Sequence, residues 1–479
     1  MNLRDQTIRG GLWSLLTKPL LQAVSYAVSV AVARLLSPAE FGLVGMATVF
    51  TGFAAVFMDF GIGAAIIQHP DLTDEQLDAA FRATVMMGAA LSLLAALAAP
   101  AVAMFYHREQ LVSLTRVSGL GFLAGSIGVV PRAILQRRME IKKLVLLDVG
   151  PNVGSGVLSV VLALNGAGVW ALVLPSLALV SSMSLLPLAS CGWRPSWRAP
   201  LRELRPLLRM SMHLLGFNVI NYWARNVDNL LLGRVSGERE LGIYARAYSL
   251  MLLPISQIGG IFSGITPALA RMQDDKERAK RTFLRAESLI ATVAFPTMMG
   301  LAATAGPFVE AVYGAKWVPM IPILQVLAIV GAIQSVVSPT GWIYMSQGRT
   351  DIMSRWGLFA CIVTIAVLAG GAMFGSAHAM AVAYLIVNVV MFLPGLLIAG
   401  RVIGIGMRDV FAAFYKPALC STAMAAVVVL VKMKLAGHLP PWSTLCVLVA
   451  TGAASYLLLA AVFKLPALKE IALIRGAKL

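Results

Sequence analysis

Residues 80–104 read AFRATVMMGAALSLLAALAAPAVAM. The one charge in these 25 residues, Arg82, lies near the start, and the rest is apolar or small. Wound as a helix at 1.5 Å per residue the stretch is ~37 Å long. That exceeds the ~30 Å hydrocarbon core of a bilayer, which about 20 apolar residues suffice to cross. Working outward, runs of this kind lie near 11–33, 40–67, 111–131, 144–164 and 168–190. They continue near 210–233, 244–269, 287–311, 320–345, 356–375, 378–400, 411–431 and 444–463. The reading is an all-α polytopic membrane protein with about fourteen spans.

Composition agrees. Of 479 residues 59% are apolar and 13% charged, and mean hydropathy is +0.81. Soluble domains carry roughly twice that charged fraction. The longest polar interval, Cys191 to Arg209, is too short to fold alone, which excludes an appended catalytic or nucleic-acid-binding domain. The net charge of +17 therefore reads as membrane anchoring, not nucleic-acid binding. Cys191, Cys361, Cys420 and Cys446 are scattered, with neither CxxC pair nor neighbouring His, so no disulfide framework and no metal site is expected. Met1–Lys18 is basic and precedes a long apolar run, the pattern of an uncleaved signal anchor, although Ala31-Val32-Ala33 resembles a cleavage site.

With an even number of spans both termini share one side. That side collects 29 of the 39 Lys and Arg. They are concentrated in the 4–5 loop (Arg132, Arg137, Arg138, Lys142, Lys143), the 6–7 loop (Arg194 to Arg209) and the 8–9 loop (Arg271 to Arg285). The opposite side holds nine, and Arg225 falls within a span. By the positive-inside rule both termini are cytoplasmic.

Span 1 and its exit read Arg34-Leu-Leu-Ser-Pro-Ala-Glu40-Phe-Gly42-Leu-Val-Gly-Met-Ala47. Span 7 and its exit read Arg234-Val-Ser-Gly-Glu-Arg-Glu240-Leu-Gly242-Ile-Tyr-Ala-Arg-Ala247. At an offset of 200, Arg34/Arg234, Glu40/Glu240, Gly42/Gly242 and Ala47/Ala247 coincide, and Arg9/Arg209 stand at the beginning of the two spans. Each begins six spans that start from the same side, a parallel repeat of the kind that places a transporter's site between two halves. The expected division is a lobe over 1–200, a second lobe over 201–403, and a helical hairpin with its tail over 404–479.

Ionisable groups at bilayer depth are costly and face an interior or a water-filled cavity. Span 7 is richest in polar groups: Asn218, Asn221, Arg225, Asp228 and Asn229 share roughly one helical face over about 16 Å. Arg225 and Asp228, three apart, can pair and lock the helix to its neighbours. Alternatively Arg225 meets an anionic substrate. Span 1 carries Lys18, Gln22, Ser25 and Ser29, with Tyr26 beside them. Lys18 either snorkels to the interface or adds a second cation facing Arg225, a cluster suited to phosphate. Asp59 is a candidate proton or cation site, or else it pairs internally or caps a break made by Gly61 and Gly63. Pro254, Pro267, Pro296 and Pro339 interrupt other spans, as static kinks or bending points. Gln257, Gln334, Ser335 and Ser338 extend the polar lining. No paired-carboxylate, Ser/His/Asp or Walker arrangement is present, so neither an enzyme nor ATP-driven pumping has a signature, and no cofactor is expected.

The segment Asn221-Tyr-Trp-Ala-Arg-Asn-Val-Asp228-Asn-Leu-Leu-Leu-Gly-Arg234, with Glu240–Tyr248 and Leu253-Pro254, resembles the polysaccharide transporters of the MOP flippase superfamily. So do Arg34–Gly42 and Asp59–Gln68. The likeness is greatest to the Wzx-like exopolysaccharide and lipopolysaccharide branch and spans most of residues 5–400. It implies translocation of an undecaprenyl-diphosphate-linked oligosaccharide across the bacterial inner membrane by two rocking six-helix lobes. The implied partners are membrane lipids and a polysaccharide polymerase or export machinery. The family lacks one universal catalytic motif, so Arg225 and Asp228 carry over only as cavity candidates.

Three rivals remain open. A multidrug-type antiporter of the same superfamily shares the plan, but the Lys/Arg-bearing cavity suits an anionic cargo. A lipid II flippase is a nearer relative, distinguished by a requirement for viability. A membrane glycosyltransferase or polymerase commonly carries a large outer loop or an acidic motif, and the outer loops here are short.

Overall fold

The computed structural model describes residues 21–58, 61–69, 72–197, 200, 205–261, 265–435 and 437–465. Among them there are helices and no strands. Eleven helices of the described residues are long and apolar enough to cross a membrane. Their outward faces carry large apolar side chains: Leu97 is 71% exposed and Leu458 67%. Such a surface is compatible with lipid and not with water.

Two compact units are present, Met1–Gly242 and Ile243–Leu479. In the first, Val28 and Val32 of α1 (Leu21–Leu35), with Leu36 just after it, pack against α6 (Ile141–Leu164) and α7 (Trp170–Ser190). The next helices are α2 (Pro38–Ala55), α3 (Ile62–Gln68), α4 (Asp74–Tyr106) and α5 (Gln110–Arg137). Small residues bring α4 and α5 together: Gly88 lies on Ser126 and Ala95 on Gly119. The Ser92 hydroxyl donates to the Gly119 carbonyl (2.8 Å) and accepts from the Leu123 N–H (3.1 Å). Small side chains allow this approach where lipid supplies no hydrophobic drive between helices. α4 starts on the Thr73 cap and stops where His107 turns left-handed.

The basic 4–5 loop is a set of caps. Arg137 donates to the carbonyls of Ile66 (3.0 Å) and His69 (2.8 Å) at the end of α3. Arg138 donates to Cys191 O (2.6 Å) and Lys143 to Ser190 O (2.6 Å), at the end of α7. Cations at helix C-termini satisfy orphan carbonyls and the helix dipole together. The loop itself is shorter than expected. α5 continues to Arg137, so Arg132 is helical and forms a two-pronged ion pair with Asp148 of α6 (2.8 and 3.0 Å).

Four expected spans are broken or fused. The 40–67 run divides into α2 and α3, with Gly61 at φ 72° opening α3. The two runs expected at 210–233 and 244–269 form one helical stretch, α8 (Arg205–Ile261), interrupted at Gly237 (φ 84°, ψ −178°) and followed by α9 (Ile265–Ala270). A conformation open mainly to glycine supplies the turn there, so no loop is needed. The 320–345 run divides into α11 (Met320–Val337) and α12 (Thr340–Ser346) at Pro339.

The two repeat words meet. A Cβ on Gly42 would overlap the carbonyl oxygen of Glu238, and a Cβ on Gly242 that of Pro38. Since 38 and 238 are themselves mates at the offset of 200, the contact is reciprocal. Ser37 N and Oγ both donate to Glu40 Oε2 (2.6 and 2.8 Å), fixing the start of α2 at this crossing. Nearby, Arg108 pairs with Glu238 (2.8 Å) and Arg234 lies over the Phe105 ring (5.7 Å).

In the second unit, α10 (Lys276–Val312) packs on α11, α15 (Met407–Leu435) and α16 (Pro441–Val462). α13 (Thr350–Ala372) and α14 (Ala377–Gly400) complete it. The polar first turns of α10 and α15 are joined by Lys280–Asp409 (2.8 Å). Its core holds Phe283, Ile290 and Ala294 of α10 against Ile343 and Tyr344 of α12.

Candidate functional site

The polar face of α8 divides in two. Asn218, Asn221 and Arg225 are exposed, and Arg225 Nε donates to Asn221 Oδ1 (3.3 Å). Asp228 is only 3% exposed, and its Oδ1 accepts from the Asn229 N–H (2.8 Å). The Arg225–Asp228 pair that the spacing permits is not made: three residues leave the two side chains only about 60° apart around the helix, yet Arg225 is exposed and Asp228 is buried. Arg225 keeps four guanidinium hydrogens directed to solvent or ligand.

The helix presenting this face is anchored through Tyr222, the residue that borders the strip after Asn221. Tyr222 Oη donates to Val49 O (2.6 Å) of α2, and Phe53 lies between Tyr222 and Trp223 at centroid distances of 5.8 and 5.0 Å. Asn226 Nδ2 is tied to Tyr222 O (2.8 Å), and the buried Asn229 side-chain oxygen has no hydrogen-bond partner among the described residues. On α1, Gln22 and Ser25 are exposed while Val32 and Ala33 are buried, so its polar positions also point away from packed neighbours. Lys18 and Asp59 lie outside the described residues. The exposed Asn218–Asn221–Arg225 strip offers amide donors and acceptors beside one cation, a set that fits sugar hydroxyls and an anion.

Two polar arrangements were not anticipated. In the second unit Gln334 Nε2 donates to Tyr384 Oη (2.7 Å) and Asn388 Oδ1 (3.1 Å), while Asn388 Nδ2 donates to Tyr384 O (2.8 Å). Tyr248 Oη lies 3.4 Å from Tyr384 Oη, so the set ties α8, α11 and α14. Tyr384 and Asn388, one turn apart in the apolar run 378–400, were the signal available for it. The other is Glu287 of α10, 1% exposed, neither of whose oxygens has a hydrogen-bond partner among the described residues. It sits between Phe283 and Ile290 on the apolar face of its helix.

Comparison with known proteins places the chain in a family and its fold among solved ones. Residues 31–322 match the family described as polysaccharide biosynthesis protein. The teichuronic acid biosynthesis protein TuaB of Bacillus subtilis is 30% identical over 430 residues, 89% of each chain. The lipopolysaccharide biosynthesis protein WzxC of Escherichia coli is 28% identical over 384 residues, 78% of this chain and 77% of that one. Among solved structures, the lipid II flippase MurJ in an inward closed conformation superposes with TM-score 0.76 at 14% identity, over 94% of this chain and 98% of that one. An inward-facing multidrug resistance MATE transporter of the MOP superfamily gives TM-score 0.64 at 16% identity, over 79% and 95%. At such identities these two show the fold alone. With eleven apolar helices among its described residues, the chain belongs to the polysaccharide biosynthesis protein family and is a multi-pass membrane protein with the transporter fold of the MOP superfamily.

Proposed function

We propose that the protein translocates an undecaprenyl-diphosphate-linked oligosaccharide across the bacterial inner membrane by alternating access. The observation that carries this reading is the exposed Asn218–Asn221–Arg225 strip on a helix anchored by Tyr222. A glycan needs amide partners in a hydrated space, and a diphosphate needs a cation. The lipid tail stays in the bilayer. Arg225, Asn221 and Asn218, with Gln22, Ser25 and Lys18 from span 1, line the path. Asp228 supports the wall from behind, and Asp59 is the candidate cation or proton site. The relatives' names point to surface glycan synthesis, and a third, the succinoglycan biosynthesis transport protein ExoT, names transport as well.

The proposal includes fourteen spans in two six-helix lobes (1–200 and 201–403) with a hairpin over 404–479, and both termini cytoplasmic. The likeness to MurJ extends to fold only, so a lipid II cargo has less support than a polysaccharide repeat unit. The test is a strain carrying Arg225→Ala, scored for surface polymer and for protein in the membrane fraction. Normal polymer from membrane-inserted variant would remove the diphosphate role of Arg225. Lysis on depletion of the protein, with polymer unaffected, would instead indicate lipid II.

A further inference from the structure

The second unit has a cavity of about 370 Å³ at the end where α10 and α15 finish and α16 begins. Glu310 and Lys432 both line it, with Ile321, Leu435 and Leu439 as apolar wall. Neither charged side chain makes a hydrogen bond or ion pair with another described residue. The Lys432 ammonium lies over Gly306, 3.3 Å from where a Cβ would stand, a seat that a larger residue would crowd. Glu310 is one helical turn further along the same face of α10, about 6 Å on. Two opposite charges thus share one cavity without meeting, and each is available to a ligand's counter-charge. A ligand bearing an anion and a cation on neighbouring atoms satisfies both.

The surroundings indicate where such a ligand comes from. Trp442 is 56% exposed and Met433 71%, and Lys432 and Lys434 end α15. Exposed Trp and Lys beside a long apolar helix mark the level of lipid headgroups. Below that level α15 exposes Leu430 (61%), a surface for acyl chains.

We propose that this cavity binds the phosphoethanolamine headgroup of a membrane phospholipid, with Lys432 taking the phosphate and Glu310 the amine. The site is separate from the α8 strip, and the assignment does not depend on the cargo. A phosphatidylglycerol headgroup offers the phosphate but no amine, so Glu310 sets the preference between the two lipids.

The test is native mass spectrometry of the purified full-length protein with phosphatidylethanolamine and phosphatidylglycerol of matched chains. The wild type should retain phosphatidylethanolamine roughly tenfold better, the value of one charge-assisted contact. Glu310→Gln should bring that ratio to near one while leaving phosphatidylglycerol retention unchanged. Lys432→Gln should weaken both lipids alike, and Gly306→Val, which keeps both charges but crowds the ammonium's seat, should do the same. Equal retention by the wild type, or a preference that survives Glu310→Gln, overturns the proposal. Displacement by soluble O-phosphoethanolamine without retention of either lipid would overturn the lipid as source. Because Glu310 is exposed, Glu310→Gln should fold as the wild type does, and an unchanged melting temperature verifies it.

Discussion

Adding a single methyl at Gly242 tests the reciprocal crossing of the repeat words. In an unconstrained helix Gly→Ala is stabilising by roughly 0.5–1 kcal/mol. At Gly242 the new Cβ would overlap the Pro38 carbonyl oxygen and stand 3.0 Å from Gly42 N. These are backbone atoms of a capped helix start, which cannot rotate away, so the chains must separate. Overpacking of this kind costs about 1–3 kcal/mol, and the immobile partner puts it at the upper end. The net is a destabilisation of about 2 kcal/mol, a fall in melting temperature of about 2 °C for a chain of this length. Gly42→Ala should cost the same, since it meets Glu238 O in the mirrored way. The double variant should cost less than the sum, because one displacement relieves both overlaps. Thermal unfolding of purified protein in detergent gives the values. Gly121→Ala, with no atom of the described residues within 4 Å of its Cβ, is the control and should be neutral or stabilising. Gly242→Ala melting at or above the wild type would refute the close crossing.

Other predictions follow from the same contacts. Asp148→Ala leaves Arg132 without its two-pronged partner in a half-buried site and should cost about 1–3 kcal/mol, read as a melting shift, with Arg132→Ala/Asp148→Ala recovering part of it. Tyr384→Phe removes the hydroxyl shared by Gln334 and Tyr248 and should cost about 0.5–2 kcal/mol without loss of membrane insertion. Glu287→Leu should stabilise the protein by about 1–3 kcal/mol, since it removes a buried group that lacks a partner among the described residues; a lower melting temperature would show that Glu287 has one. Asp409→Asn removes the ion pair with Lys280 (2.8 Å) that joins the starts of α10 and α15, and should lower the melting temperature slightly, read by thermal unfolding in detergent. Arg225→Ala should lower polymer export at least tenfold and Arg225→Lys less, because a lysine keeps the charge but not the forked donors.

The helical class was legible because hydropathy over about 20 residues needs no partner to be read. The repeat was legible as a pattern, but not that Gly42 and Gly242 would touch. Sequence offset alone carries no distance. Fused and broken helices were missed because Gly237 and Pro339 act through backbone dihedrals, whereas spans are delimited by side-chain polarity. Arg132 was assigned to a loop for the same reason: the apolar run stops before the helix does. Of the candidate site, the stripe on α8 was visible as spacing, yet its division into exposed Arg225 and buried Asp228 depends on tertiary packing, which spacing does not encode. The Gln334–Tyr384–Asn388 set joins residues 50 and 54 apart, beyond the reach of any local pattern.

The mirrored contact at the repeat words has a further consequence. A residue touching the mate of its own partner, and the converse, is the signature of an isologous interface between identical subunits. Here both surfaces belong to one chain. A half-length protein carrying one copy of the word would pair with itself through the same glycine and the same carbonyl, as a homodimer with no other change at this spot. Such an interface takes every substitution twice, which leaves glycine as the residue that suits both sides at once. The crossing is thus a dimer contact folded into one chain.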